Sequence, residues 1–158
     1  MADFPKCADL ARRAVACPRW RWMPGMLALD SCNEEHPARV IDGRRSAVYE
    51  DTDGATHEGV VSRSDVPDLT DPATLGCLLA LVREAWEPHR GSDYVASTMH
   101  TGSGWGVGAR FGREGLAAIV LPTFPTEAEA LVAALEAAQS APSARSMLLR
   151  AANETRAD

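Results

Sequence analysis

Between Leu69 and Trp86 the chain reads L-T-D-P-A-T-L-G-C-L-L-A-L-V-R-E-A-W, and Leu75, Leu78, Leu79, Val82 and Trp86 fall at the spacing of one helical face. Asp71 stands where an N-cap accepts backbone N–H bonds, and Pro72 takes the first helical position, where a missing N–H costs nothing. Cys77 and Leu81 widen the apolar surface toward a second side. Arg83, Glu84 and Glu87 mark the wet end, and Pro88 predicts the stop. A helix apolar on more than one side is packed on more than one side, so this segment is expected to be the central core helix.

Two further helices follow from the same pattern. From Asp3 to Cys17, Cys7, Leu10, Ala11, Ala14 and Val15 share a stripe with Arg12 and Arg13 outside; Asp3 is placed to cap it and Pro18 to end it. Thr126 and Glu129 form a capping box ahead of Ala128, Leu131, Val132, Leu135 and Ala138, which share a face. A helical spacing recurs at Met147, Leu148, Ala151 and Ala152 in a tail poor in strong apolar residues, expected to fray or to pack on a neighbouring subunit.

Strands are expected elsewhere. In R-W-R-W-M-P-G-M-L-A-L, from Arg19 to Leu29, Trp20 and Trp22 would share one side of an extended segment and Arg19 and Arg21 the other, with a turn at Pro24-Gly25 and a short strand from Met26 to Leu29. After a polar loop from Asp30 to Pro37, Asp42-Gly43 signals a type I′ hairpin turn and Asp53-Gly54 a second one, so Ala38 to Ser62 reads as an antiparallel meander. Arg63 to Leu69 is read as the lead into the central helix. Met99 to Phe111 and Leu116 to Leu121 read as a second hairpin closed by residues 112 to 115. Glycines 102, 104, 106 and 108 would then share one bare face, with Ser103, Trp105, Val107 and Ala109 on the other. The fold class is α+β: an antiparallel sheet, meander plus second hairpin, with three or four helices packed mainly on one face. Residues 1–141 are expected to form a single domain and 142–158 a helical tail.

Composition narrows the function more than it defines it. A net charge of −6 opposes non-specific binding to phosphate backbones, which runs on clustered lysine and arginine. Cys7, Cys17, Cys32 and Cys77 show no tight repeat and read as reduced thiols of a cytoplasmic protein. No apolar run approaches the roughly 18 to 20 residues that span a bilayer.

Candidate chemistry is sparse. Cys32 and His36 make one C-x3-H pair, where a zinc site needs four ligands, so no metal and no cofactor are expected. Ser103 in T-G-S-G-W, with His100 and Asp93 nearby in sequence, lacks the G-x-S-x-G elbow. The run Gly104 to Ala109 is followed by no helix, which a dinucleotide fingerprint requires. Glu34 and Glu35, like Asp51 and Asp53, read as solvated loop carboxylates. Trp20, Trp22 and Trp105 are then either core anchors packed on the bare glycine face or the lining of a pocket. In the pocket reading rings stack on a planar ligand, Arg19 or Arg21 faces an anion, and Ser103 adds a hydroxyl.

Three segments, C-P-R-W-R-W-M-P-G-M-L from Cys17, P-D-L-T-D-P-A-T-L-G-C-L-L-A-L-V-R-E-A-W from Pro67 and T-E-A-E-A-L-V-A-A-L-E-A-A from Thr126, together resemble a group of small uncharacterised proteins encoded by bacteriophages and prophages. That group brings no assigned activity and no functional residues to transfer. The resemblance implies a context: a small acidic accessory protein of host takeover or anti-defence, acting by occupying a host protein or sequestering a small signalling nucleotide. The order of a helix, Trp22, Gly25-Met26 and a strand is more distantly similar to nucleotide-sequestering phage proteins.

The function expected on these grounds is a non-enzymatic binding protein for a small anionic or nucleotide-like ligand, or for a host protein. It is expected to be a homo-oligomer, away from membranes and nucleic acids. Two alternatives compete with it: a small hydrolase-type enzyme assembled from distant residues such as His100, Ser103, Asp93 or Glu58, and a virion or assembly component.

Overall fold

The structure, a computed structural model, describes residues 4–29, 37–51, 53–90, 94–111, 116–117 and 123–140. Expectations for Asp3, the 30–36 loop with Cys32 and His36, Asp93, residues 112–115 and 118–121, and the tail from 141 lie outside them. The α+β class holds. The chain divides into two compact units, Met1–Leu78 and Leu79–Asp158, with the boundary falling inside the central helix.

In the first unit, helix α1 (Phe4–Ala16) buries Ala11 and Ala14 and exposes Arg12 and Arg13, as its stripe predicts. Five antiparallel strands follow: β1 (Leu27–Leu29), β2 (Ala38–Val40), β3 (Ser46–Glu50), β4 (Thr56–Val60) and β5 (Val66–Pro67), in the order β4-β3-β2-β1-β5. The predicted meander is β2-β3-β4, with Ala38 opposite Tyr49 and Val48 opposite Glu58. Strand β5 was not anticipated. It is two residues long and contains a proline, which an outer strand tolerates because one of its edges has no partner to serve. Met26, Ala28, Val40, Ala47, Val61 and Leu69 are buried around this sheet.

Turn chemistry departs from the expected type I′ geometry at both hairpins, Asp53 not being left-handed at the second, and matches expectation at Pro24-Gly25. Pro24-Gly25 is a type II turn: Met26 N–H donates to the Met23 carbonyl at 3.1 Å and Gly25 takes the required positive φ of 96°. At the second meander turn, Asp51 accepts from the backbone of Asp53 and Ala55, and Gly54 is left-handed at φ 78°. The expected two-residue turn at Asp42-Gly43 is instead a five-residue connection in which Gly43 is not left-handed and Arg45 is, at φ 73°. Asp42 organises it, its carboxylate accepting N–H bonds from Arg44 and Ser46 at 2.9 Å and the Ser46 hydroxyl at 3.0 Å. An aspartate that closes its own turn competes with the type I′ geometry its sequence suggests.

Helix α2 (Pro72–Arg90) begins as predicted. Asp71 caps it, accepting the Thr74 N–H at 2.8 Å. It runs through Pro88 to Arg90, contrary to the expected stop; a proline in the last turn forfeits a single N–H bond there. Leu78, Leu81, Val82, Ala85 and Trp86 are buried along it.

In the second unit, strands β6 (Tyr94–Thr101) and β7 (Gly104–Phe111) form a hairpin turned at Gly102-Ser103, and β8 (Leu116–Ala117) pairs with β7. This corrects two expectations. Met99 to Phe111 is not one strand, because the tight turn at Gly102-Ser103 folds it back on itself. The hairpin also does not join the meander sheet but forms a three-stranded sheet of its own, β6-β7-β8. Alternation tells which residues are strands, whereas the choice of edge is made by what lies beside them, here β8 and Phe124, which exchanges two 2.7 Å backbone bonds with Trp105. Helix α3 (Glu127–Ser140) packs on this sheet and buries all five residues of its predicted face. Its capping box is formed: Glu129 N–H donates to Thr126 Oγ1 at 3.2 Å, and Thr126 N–H returns a bond to Glu129 Oε2 at 3.0 Å. Trp86 donates its indole N–H to the Ala134 carbonyl at 3.0 Å, and Thr98 donates to Glu127 at 2.7 Å.

Candidate ligand-binding cleft

Residues 19–23 form no strand, yet they keep the two indoles together. After α1 the chain turns, Trp20 N–H donating to the Cys17 carbonyl at 2.8 Å, and the rings of Trp20 and Trp22 meet edge to face with centroids 5.7 Å apart at 80°. Such a contact places the positive rim of one ring on the negative face of the other. Trp22 is buried and anchors the pair; Trp20 is half-buried.

Both line a cleft of about 550 Å³ together with Val15, Arg21, Gly43, Arg45, Ser62, Arg63 and Asp65. That volume is within the range of small-molecule sites. Sequence reasoning supplied Trp20, Arg21 and Trp22, while Arg19 is exposed and does not line the cleft.

The other cations were missed. Arg45 and Arg63 come together because of hairpin register: Ser46 pairs with Val60, and the Val61 N–H donates to the Arg45 carbonyl at 2.9 Å, so residues just outside both strands share one end of the β3-β4 ladder. Counting back from a two-residue turn at Asp53-Gly54 puts Ser46 opposite Val61, one residue out of the observed register, so the sequence signal alone does not place them.

The charge of the lining is unequal. Three guanidinium groups face one carboxylate, and that carboxylate is engaged: Asp65 accepts the Ser62 N–H at 2.7 Å and the Ser62 hydroxyl at 2.6 Å. Among the described residues neither Arg45 nor Arg63 forms an ion pair. The Trp20 indole N–H is buried with no acceptor, an uncommon state for a strong donor. Beside the cleft a second opening shares Val15, Arg63 and Asp65 with it and adds Arg12, Ala16, Ser64 and Val66.

Comparisons with family models, curated proteins and solved structures bring no relative. Nothing matches this chain in any of the three. The cleft is therefore read from its own geometry.

Trp105 and Ser103, the remaining expected site residues, belong to the second unit. Trp105 alternates to the face opposite Gly104, Gly106 and Gly108, so it cannot itself pack on the glycine face; its ring meets His100 edge on, at 5.2 Å. The space beside the glycines has other neighbours. A Cβ at Gly108 would lie 2.5 Å from Met99 Cε, and one at Gly104 would lie 2.5 Å from the Phe124 carbonyl oxygen. Ser103 Oγ is 3.0 Å from Thr101 Oγ1, and among the described residues it makes no bond with His100. Glu58 lies on β4 of the first unit.

Elsewhere in the first unit His57 Nε2 lies 2.8 Å from Asp51 Oδ2, and its ring stacks on Tyr49. The bond from His57 and the backbone donors of the turn hold the Asp51 carboxyl below its ordinary range. Among the described residues no group of three histidine, cysteine, aspartate or glutamate side chains is placed to hold a metal ion, and no helix is long and apolar enough to cross a membrane.

Proposed function

We propose that this chain is a non-enzymatic binding protein that holds a small anionic, nucleotide-like ligand in the Trp20–Trp22 cleft. The observation that carries the reading is the pairing, in one cavity, of two indoles with Arg45 and Arg63, neither of which forms an ion pair among the described residues. Aromatic faces attract a planar ring, and guanidinium forks match phosphate or carboxylate oxygens. The lining supports holding over converting: it offers guanidinium donors, and its one carboxylate, Asp65, is held by the Ser62 N–H and hydroxyl.

In the phage setting that the sequence resemblance implies, holding without converting is a sequestering role in host takeover or anti-defence. The proposal includes a cytoplasmic location, which suits Cys17 and Cys77 outside any disulfide. It also includes self-association, which suits a Val60 side chain 74% exposed on the outer strand β4. The test is titration of the full chain with a nucleotide panel, followed by tryptophan emission, with the ligand then recovered by chromatography. Saturable quenching with the ligand returned intact supports the reading; no saturation, or a converted ligand, refutes it.

A further inference from the structure

Resting on that reading, we infer that the cleft selects an aromatic ring bearing at least two negative charges, a nucleoside phosphate by chemistry, with Arg45 and Arg63 taking the phosphate end. Two observations lead there. The first is the charge balance: Arg45 and Arg63 have no ion-pair partner among the described residues, in a chain whose net charge is −6 and which has carboxylates to spare. Two guanidinium groups left open at one end of one cleft are satisfied by a dianion and under-used by a monoanion.

The second is backbone strain. Arg45 is held left-handed at φ 73° by a connection that Asp42 closes, although Gly43, two residues earlier, would adopt such a φ at no steric cost and does not. The loop by itself would be more stable with glycine at 45. A side chain retained in a conformation that disfavours it points to work done by the side chain, and the work available at this position is in the cleft. The Trp20 and Trp22 rings supply the aromatic wall of the same cleft, edge to face at 5.7 Å.

The experiment measures binding of adenosine, AMP, ADP and inorganic pyrophosphate to the full chain by calorimetry in magnesium-free buffer, for wild type, Arg45→Gly and Arg63→Gln. The expected order of affinity is ADP and AMP both over adenosine, with ADP also above pyrophosphate. Arg45→Gly should raise Tm, showing a folded and relaxed protein, while weakening ADP by roughly tenfold to a hundredfold and leaving adenosine unchanged. Arg63→Gln should weaken ADP in the same way. Equal affinity for ADP and adenosine, or ADP binding untouched in Arg45→Gly, overturns the inference and leaves the cleft as a site for uncharged aromatic ligands. Pyrophosphate binding as tightly as ADP overturns the aromatic part. No binding of any of the four removes the underlying reading as well.

Discussion

Among the described residues of the first unit Asp71 is the carboxylate with the most hydrogen bonds, and replacing it gives a stability change that can be worked out bond by bond. It caps α2 through the Thr74 N–H and accepts the Thr74 hydroxyl, both at 2.8 Å; it also receives the Arg39 fork at 2.8 and 3.2 Å. Thr74 is fully buried and passes the network on, its Oγ1 accepting the Leu27 N–H at 2.9 Å at the start of β1.

In Asp71→Ala the lost cap costs about 1 kcal/mol. The Thr74 hydroxyl left without its acceptor costs about 1 more. The Arg39 pair adds only about 0.5, because the Arg39 side chain is 41% exposed and screened by solvent. A loss of about 2.5 kcal/mol corresponds to a Tm lowered by about 5 to 10 °C for a chain of this size. Asp71→Asn keeps a good capping oxygen and loses the charge, so about 1 kcal/mol or less is expected.

The pH dependence has a definite sign. Burial raises the Asp71 carboxyl, but the bonds from Arg39 and Thr74 outweigh it and hold the group below its ordinary value of 3.8. Its contribution is therefore present above that value and lost as the pH falls through the lower folded one, where wild type and Asp71→Asn should converge. Thermal unfolding by circular dichroism at pH 7 and pH 3 reads all three proteins. A cost below 0.5 kcal/mol for Asp71→Ala, by the usual scale of a lost cap, or equal costs for the Ala and Asn variants, would refute the assignment.

Two other substitution sets test the second unit. Gly108→Ala should cost about 1 kcal/mol, because its methyl meets only the movable end of Met99, whereas Gly104→Ala should cost about 3, because φ is 137° and the obstacle is the Phe124 backbone. Gly106→Ala meets nothing and should be neutral or stabilising by about 0.5 kcal/mol, so equal effects at the three positions in urea unfolding would contradict the described strand. Thr126→Ala should destabilise α3 by about 1 kcal/mol, read as a lower urea midpoint at unchanged slope; no change in midpoint would mean that the capping box carries no weight.

The helices were legible because their signals are local. The Asp71 cap, the Thr126–Glu129 box and the buried face of α3 each lie within a few turns of chain. Pro88 misled because a proline's cost depends on whether its N–H was needed, which position in the helix decides. The sheets were legible only in part. Strand existence follows from alternation, but β5 is too short to alternate, and nothing in the glycine-rich run separates a strand from the turn at Gly102-Ser103.

The cleft followed the same division. Trp20, Arg21 and Trp22 stood out as neighbours in sequence, while Arg45, Arg63 and Asp65 join them through strand register and a left-handed residue that no composition rule announces. Arg39, which ties Asp71 to the Gly25 carbonyl at 2.7 Å, was invisible for the same reason.

The central claim, that the paired indoles and arginines of the first unit form the ligand site, is tested most directly by the indole N–H resonances. The chain has four tryptophans, so a nitrogen-15 correlation spectrum of the full chain carries four resolvable indole signals, assigned by Trp→Phe variants. On titration with ADP the signals of Trp20 and Trp22 should move together and saturate, because both rings line the cleft. The signals of Trp86, bonded to Ala134, and Trp105, packed on His100, should stay in place. Movement of Trp86 or Trp105 with Trp20 and Trp22 unmoved would contradict the account.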